Sequence, residues 1–138
     1  MTHGSAELRV YPPVPVDDWP EDLARLQVSG TDFADPAPPA EVPDGVPVLW
    51  LNPGLEMTAG KAMAQAGHAA QLGWWQLPDD ARAKWQADGF DLAVRTAITA
   101  RWAVLLASGL PVVRDAGFTE VEPGSCTVVA DLPALRQH

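Results

Sequence analysis

Three polar side chains recur along one side of a segment that is otherwise built from Ala, Gly and Met. They are Lys61, Gln65 and His68, and at about 100° per residue they fall within an arc of roughly 60° on an α-helix. Thr58 lies near the same arc and is typical of an N-cap. An ammonium, an amide and an imidazole on one stripe favour a chemical site, although a solvated helix face has the same spacing. The first turn, residues 58–61, is also expected to direct free backbone N–H groups toward an anion or a developing oxyanion.

A second group of polar residues follows the short apolar run at 112–114, and comprises Asp115, Thr119, Ser125 and Thr127. The run at 46–51 is also apolar, and a turn separates it from the segment that carries Lys61. In an open α/β sheet, the segments that follow the carboxyl ends of parallel strands meet at one edge. The sequence therefore predicts that the two polar groups share one site.

Hydrophobic periodicity defines the elements that must position these residues. Strands are predicted at 46–51, 89–96, 112–114 and 126–130, and helices at 58–72, 79–86 and 99–108, the second capped by Asp79. The loop between the last two strands is too short for a crossover helix, so the last strand is expected to run antiparallel to a neighbour. The predicted fold class is α/β, a small four-stranded mixed sheet with helices on both faces.

Taken together, the motifs resemble the peptidyl-tRNA hydrolase 2 family, whose members cleave the ester that joins a stalled peptide to its tRNA. The resemblance extends over about residues 46–133, and it implies the same small sheet and peptidyl-tRNA as the substrate. The residues that carry it are Gly60-Lys61, Gln65-x-x-His68-Ala69, and Asp115-Ala116-Gly117-x-Thr119 followed by Pro123-Gly124-Ser125-x-Thr127.

The resemblance implies that Lys61, Asp115, Thr119 and Thr127 are the catalytic residues. Ester hydrolysis needs a positioned water, a group to take its proton, and donors for the oxyanion. Asp115 is expected to orient the water or to act as base. Lys61 is expected to stabilise the oxyanion, to contact a phosphate or to hold Asp115 ionised, and the two threonine hydroxyls to orient the substrate. Further residues expected to bind or position the substrate are Thr58, Gly60, Gln65, His68, Gly117 and Ser125.

His68 lies about two turns below the helix start, where it would hold a structural hydrogen bond or transfer a proton. It has no second ligand at i+3 or i+4, so no metal site is expected. No Walker-type loop or G-x-G-x-x-G motif is present, and we expect no cofactor. Ser125 lacks the G-x-S-x-G context of a nucleophilic serine. Cys126 is the single cysteine, and an inert buried thiol is the expectation.

Three positions that are usually basic in the family carry Asn52, Glu56 and Phe118 here. Each lost phosphate contact weakens nucleic-acid binding, so peptidyl-tRNA is expected to meet a weakened basic surface. Two alternatives remain open: a binding or regulatory module that has lost tRNA hydrolysis, and a hydrolase of a smaller ester or N-acyl substrate. Trp75 and Trp85 are the tryptophans expected at a surface or interface. Exposure of Phe118 together with Trp75 would favour a protein partner or dimer contact, and family precedent points to a homodimer.

The first 45 residues differ in composition from the remainder. They carry two basic and nine acidic residues, a net charge of −7, whereas residues 46–138 carry seven and nine, a net charge of −2. Nine of the fourteen prolines lie in residues 1–47, which disfavours regular structure apart from a short helix at 19–26. We expect residues 1–45 to be a Pro-rich acidic arm or linker, which either wraps the domain or a partner subunit or joins it to a neighbour. Residues 46–138 are expected to form the peptidyl-tRNA hydrolase 2-like domain.

The beginning of the chain lacks a basic segment followed by an apolar run, so no secretory signal is expected. No apolar run approaches the roughly 20 residues that a bilayer-spanning helix needs. These features predict a soluble cytoplasmic protein without a membrane partner.

Overall fold

The computed structural model describes residues 2–3, 6–7, 12–15, 18, 20–24, 30–32 and 38–136. In its first part, strand β1 (Thr2–His3) pairs antiparallel with β2 (Ala6–Glu7), and a single helical turn, α1 (Glu21–Ala24), follows. Of the helix expected at 19–26, Pro20 precedes the helical turn, and residues 19, 25 and 26 lie outside the described residues.

A four-stranded sheet forms the centre of the molecule. Its strands are β3 (Val48–Leu51), β4 (Ala93–Thr96), β5 (Val112–Arg114) and β6 (Cys126–Asp131), in the spatial order β4–β3–β6–β5. β3 and β4 are parallel, whereas β6 is antiparallel to both β3 and β5. The last strand is therefore antiparallel, as predicted, and it lies inside the sheet rather than at an edge. The strand expected at 89–96 begins only at Ala93, because Gly89 and Phe90 have φ angles of 75° and 60°.

Three longer helices connect the strands: α2 (Ala59–Gln76), α3 (Asp79–Ala87) and α4 (Thr99–Ala107). A 3-10 turn at Pro133–Leu135 follows the sheet. α2 runs one turn beyond the predicted end at residue 72. The prediction that Asp79 caps α3 is wrong: the N-cap is Pro78, which makes no side-chain cap bond, and Asp79 is the first helical residue.

Helices cover both faces of the sheet, as the sequence predicts. Successive residues of a strand point to opposite faces, so Leu49 and Val128 pack with α2 and α3, while Trp50 and Val129 pack with α4. The expectation that Trp85 lies at the surface is wrong, because this residue of α3 is only 7% exposed and packs into the core. No helix among the described residues is long and apolar enough to cross a bilayer.

Two parts of the acidic segment rest on the domain. Gly60 at the start of α2 donates its backbone N–H to the Thr31 carbonyl at 2.8 Å, and the Arg95 guanidinium donates to the Ala40 carbonyl at 2.5 Å. At these two points the segment contacts the surface of the domain.

Candidate active site

The two polar groups of the sequence meet at one edge of the sheet, as predicted. The Lys61 ammonium on α2 donates to Asp115 Oδ2 at 2.8 Å and to Thr119 Oγ1 at 3.1 Å. Asp115 and Thr119 lie in the loop after β5, so the site joins a helix on one face of the sheet to a loop at its edge. The side chains of Lys61 and Asp115 are only 8% and 9% exposed, which weakens the screening of their ion pair by water.

Gln65, one turn beyond Lys61, connects this ion pair to the interior. Its amide nitrogen donates to Asp115 Oδ2 at 2.7 Å, and its amide oxygen accepts from the Thr127 hydroxyl at 2.6 Å. An ionised carboxylate only accepts hydrogen bonds, so the nitrogen of Gln65 must face Asp115 and the oxygen must face Thr127. The carboxylate therefore fixes the orientation of the amide, and the buried hydroxyl of Thr127 supplies the donor that the amide oxygen needs.

Thr127 reaches Gln65 because the sheet is irregular at this point. Val113 pairs with Val128 and Arg114 pairs with Cys126, so Thr127 is an extra residue in a β-bulge. Bulges commonly redirect a side chain near a functional site. Thr127 is 0% exposed, so the expectation that its hydroxyl orients the substrate directly does not hold in this structure. Its contact with the site passes through Gln65.

Asp115 is held as a carboxylate. Burial raises its pKa, but hydrogen bonds from Lys61, from the Gly117 backbone N–H and from Gln65, together with the Lys61 charge, outweigh this effect and leave the pKa below its ordinary value. Oδ2 accepts from both Lys61 and Gln65, whereas Oδ1 accepts, among the described residues, from Gly117 alone, at 2.8 Å. A carboxylate oxygen has two lone pairs, so Oδ1 keeps one lone pair with which it could accept from a water molecule.

The start of α2 does not offer the free donors that the sequence predicts. The Thr58 N–H donates to Glu120 Oε2 at 2.9 Å, and the Lys61 N–H donates to the hydroxyl of its N-cap, Thr58, at 3.4 Å. The two backbone N–H groups between Thr58 and Lys61 are occupied by residues 30–32. The Gly60 N–H donates to the Thr31 carbonyl, and the Ala59 N–H donates to Asp32 Oδ1 at 3.3 Å. The prediction of an open oxyanion or phosphate site at residues 58–61 is therefore wrong.

A cleft of about 620 Å³ opens between α2 and the loop after β5, and the Lys61–Asp115 pair forms part of its wall. His68 lies exposed on the same wall, and no hydrogen bond joins it to any described residue, so the expected structural bond is not observed. Trp75 and Phe118 also line the cleft and are 62% and 67% exposed. The joint exposure that would favour a contact surface is thus present, beside the polar site.

A family model of the peptidyl-tRNA hydrolase PTH2 matches residues 46–138. This chain belongs to the peptidyl-tRNA hydrolase PTH2 family. A comparison with curated proteins finds no match. The family segment includes Lys61, Gln65 and the whole loop after β5, whereas residues 30–32, which cover the start of α2, lie outside it. The side chains at the cleft therefore belong to the family domain, and the contact at the helix start comes from the acidic segment.

The other residues predicted to belong to the site, Ser125, Gly117 and Gly60, have mainly structural contacts with neighbouring segments. The Ser125 hydroxyl donates to the Glu122 carbonyl at 2.6 Å within the turn before β6, and it is absent from the residues that line the cleft. Gly117 has φ 80°, and a Cβ there would lie 2.5 Å from Pro123, so only glycine lets its N–H turn back to Asp115. A Cβ on Gly60 would lie 2.9 Å from Thr31.

Glu120 is a site residue that the sequence analysis missed. Its carboxylate accepts from the backbone N–H and the hydroxyl of Thr58 and from the backbone N–H of Gly30. These bonds, from Gly30 first and then Thr58, hold the pKa of Glu120 below its ordinary value. The periodicity that revealed the other residues gives no signal here, since an acidic residue in a turn is ordinarily solvated.

Proposed function

We propose that this chain hydrolyses the ester that joins a peptide, or an N-blocked aminoacyl group, to tRNA, and that residues 46–138 form the hydrolytic domain. The observation that carries the proposal is the Lys61–Asp115–Thr119 cluster in the wall of an open cleft, in a chain of the PTH2 family. The cluster combines a fixed carboxylate with two donors at one point, as attack of water on an ester requires.

The free lone pair of Asp115 Oδ1 orients a water toward the ester carbonyl. As water attacks, negative charge develops on the carbonyl oxygen, and two groups can donate to it. The Lys61 ammonium has three N–H groups and uses two within the cluster. The Thr119 hydroxyl accepts from Lys61 and keeps its own proton to donate. The bond between the acyl carbon and the ribose oxygen then breaks, the peptide leaves as a carboxylic acid, and the proton lost by water ends on the ribose hydroxyl.

Asp115 is better suited to orient the attacking water than to act as a strong general base. A general base works best when its pKa lies near the working pH, whereas the pKa of Asp115 lies below even the ordinary aspartate value. The carboxylate therefore stays ionised throughout, where it keeps Lys61 in place and attracts the water proton. His68, exposed on the cleft wall, remains within the site as a second group for proton transfer.

The cleft walls favour contact with flat or apolar groups over contact with phosphates. Trp75 and Phe118 present exposed rings, and aromatic rings stack on nucleobases of single-stranded nucleic acid without sequence preference. Arg114 is the exposed cation of the lining. We propose that the unpaired acceptor end of tRNA and the peptide supply most of the contacts, in the cytoplasm where translation leaves peptidyl-tRNA.

A smaller ester or N-acyl compound is the second candidate substrate. The observation that favours it is the carboxylate cover over the start of α2, where Glu120 and Asp32 occupy the N–H groups that a phosphate would otherwise use. The exposed rings of Trp75 and Phe118 equally suit a protein contact, either in a homodimer or in a regulatory module. In each of these alternatives, unlike in the hydrolysis of peptidyl-tRNA, tRNA would contribute nothing to turnover.

The test is release of N-acetylaminoacyl groups from tRNA by wild type, Lys61→Ala and Lys84→Ala. Lys84 pairs with Asp88 on the exposed surface of α3, so its substitution removes the same charge away from the cleft. We expect Lys61→Ala to lose at least about 100-fold in rate and Lys84→Ala to match wild type. Equal turnover of the N-acetylaminoacyl ester of a small alcohol would favour the second candidate. No release of either substrate by folded wild type would reject hydrolysis.

A further inference from the structure

Glu120 occupies an unusual backbone position directly beside the candidate catalytic cluster. Its φ angle is 61°, in the left-handed region that is unfavourable for a non-glycine residue of this type. It follows Thr119, which accepts the Lys61 hydrogen bond, in a loop that begins at Asp115. A strained conformation is retained only where surrounding contacts outweigh its cost, and here those contacts are made by the carboxylate.

The carboxylate of Glu120 joins three separate parts of the chain. Oε2 accepts from the Thr58 N–H at 2.9 Å, both oxygens accept from the Thr58 hydroxyl at 2.9 and 3.1 Å, and Oε1 accepts from the Gly30 N–H at 3.0 Å. Thr58 is the N-cap of α2 and lies three residues before Lys61. Glu120 thus binds the helix that carries Lys61 to the loop that carries both partners of its ammonium.

We propose that Glu120 is a positioning residue, which holds Lys61 at hydrogen-bonding distance from Asp115 and Thr119 by fixing the loop after β5 to the start of α2. Its catalytic consequence rests on the proposed hydrolysis, whereas its effect on the ion pair does not. The loop end nearer β6 is fixed independently, because the Gly124 N–H bonds the Asp115 carbonyl at 2.7 Å. Besides Lys61 and Gln65, which bond Asp115 and Thr119 directly, Glu120 is the side chain among the described residues that ties this loop to α2.

The pKa of Asp115 distinguishes positioning from a simple effect of charge. The groups that face this carboxylate are Lys61 and Gln65 from α2 and the Gly117 N–H from the loop. Glu120, Arg114 and His68 are the other charged or titratable groups nearby. Removal of a negative charge at 120 would by itself lower the pKa of Asp115. Loss of the fixed Lys61 contact would raise that pKa, so the two explanations predict shifts of opposite sign.

The experiment follows the Asp115 carboxyl by ¹³C NMR titration in the full chain, together with steady-state release from N-acetylaminoacyl-tRNA. Glu120→Ala is expected to raise the pKa of Asp115 toward its ordinary value and to lower kcat about tenfold, a change of about 1.4 kcal/mol, with KM changed less than twofold. Glu122→Ala is the matched control, because it removes the same charge from an exposed side chain of the same loop. It should leave both quantities as in wild type.

Two conservative variants keep the test decisive if Glu120→Ala fails to fold. Glu120→Gln loses the charge but keeps the reach and can still bond Thr58, whereas Glu120→Asp keeps the charge but is one methylene shorter. The proposal predicts that Glu120→Gln retains more activity than Glu120→Asp. It also predicts that the pKa of Asp115 is lower in Glu120→Gln than in Glu120→Asp. The reverse order, or an Asp115 pKa that falls in Glu120→Ala with kcat unchanged, would overturn it. If wild type releases nothing from tRNA, the proposed hydrolysis fails while the titration still decides the role of Glu120.

Discussion

Asp115 is the residue on which the other side chains of the site converge. It accepts hydrogen bonds from an ammonium, an amide and a backbone N–H, all between 2.7 and 2.8 Å. Such a carboxylate is stabilised in its charged form, and its counter-ion Lys61 is as little exposed as Asp115 itself. Removal of either partner would leave a poorly solvated charge, so the two residues act as one unit.

The low pKa of Asp115 leads to a prediction for the pH dependence of turnover. If ionised Asp115 orients the water, kcat/KM stays level as the pH falls and declines only below about 3.9, the ordinary aspartate pKa. The pH profile of single-turnover release checks this, with His68→Ala expected to leave the acidic limb in place. An acidic limb that disappears in His68→Ala would contradict the prediction and assign the proton transfer to the imidazole.

Thr127 allows a prediction for stability. Thr127→Val keeps the shape of the side chain but leaves the buried oxygen of Gln65 without its donor, which costs about 1–3 kcal/mol in the free energy of unfolding. Thr127→Ser keeps the hydroxyl and should lose less. Urea unfolding of the three proteins measures the difference. Equal stability of the Val variant and wild type would show that the Thr127–Gln65 hydrogen bond does not fix the amide.

The strand-edge rule correctly placed Lys61, Asp115 and Thr119 together, whereas their catalytic roles were implied by the family resemblance. It misjudged Thr127, because a β-bulge depends on the pairing of two strands and leaves no mark in one of them. It missed Glu120, because that residue acts through a partner more than sixty positions away. Contacts between distant segments decide these roles, and periodicity reports only on local structure.

At the scale of elements, helix α2 carries the site and packs closely against the sheet. Gly73 is buried, and a Cβ there would lie 2.6 Å from Leu132 Cδ1, a side chain that is itself 1% exposed. Gly67 is exposed on the same helix, and a Cβ there would have no atom within 4 Å. The two glycines therefore have different reasons to be present.

These glycines make a matched pair of predictions. Gly67→Ala should raise the free energy of unfolding by about 0.5–1 kcal/mol, since alanine is the better helix former. Gly73→Ala should lower it by about 1–3 kcal/mol, since the buried Leu132 cannot move away without strain. Thermal unfolding monitored by circular dichroism gives both values. A stabilising Gly73→Ala would contradict the close packing of α2 on the sheet.

The boundaries of the elements were predicted less well than their order. α2 continues through Trp74 because that ring packs 6.2 Å from Trp85 and 5.5 Å from Phe90, and tertiary packing outweighs the local preference of tryptophan. Pro78 then stops the helix, as proline does. Strand β4 is shorter than predicted because Gly89 and Phe90 turn the chain first. The alternation of polarity was correct, but turn geometry set the ends.

At the scale of the whole molecule, the charge distribution predicts how tRNA would bind. With Arg114 as the exposed cationic side chain of the lining beside the paired Lys61, we expect the apparent affinity to fall with salt with a log–log slope of only about −1 to −2. Trp75→Ala should raise KM about tenfold without changing this slope, because base stacking is worth about 1–3 kcal/mol. Val104→Ala, an exposed apolar residue of α4, is the control. A slope near −5 would show a phosphate-binding surface outside the cleft.

The acidic segment illustrates what one sequence leaves undetermined at this scale. Composition predicted an acidic, proline-rich arm, and it left open whether the arm meets the domain. The contacts of Thr31 and Asp32 at the start of α2 depend on a backbone carbonyl and one carboxylate among nine acidic residues. Neither the residue types nor their spacing distinguishes these from the others.

The most direct test of the proposed chemistry is single-turnover release of N-acetylaminoacyl groups from tRNA by wild type and Asp115→Asn. The amide keeps the shape of the side chain but loses the charge that fixes Lys61 and orients the water. We predict measurable release by wild type and a rate at least about 100-fold lower in the folded variant. A variant rate within twofold of wild type would contradict the central role of the Lys61–Asp115 pair.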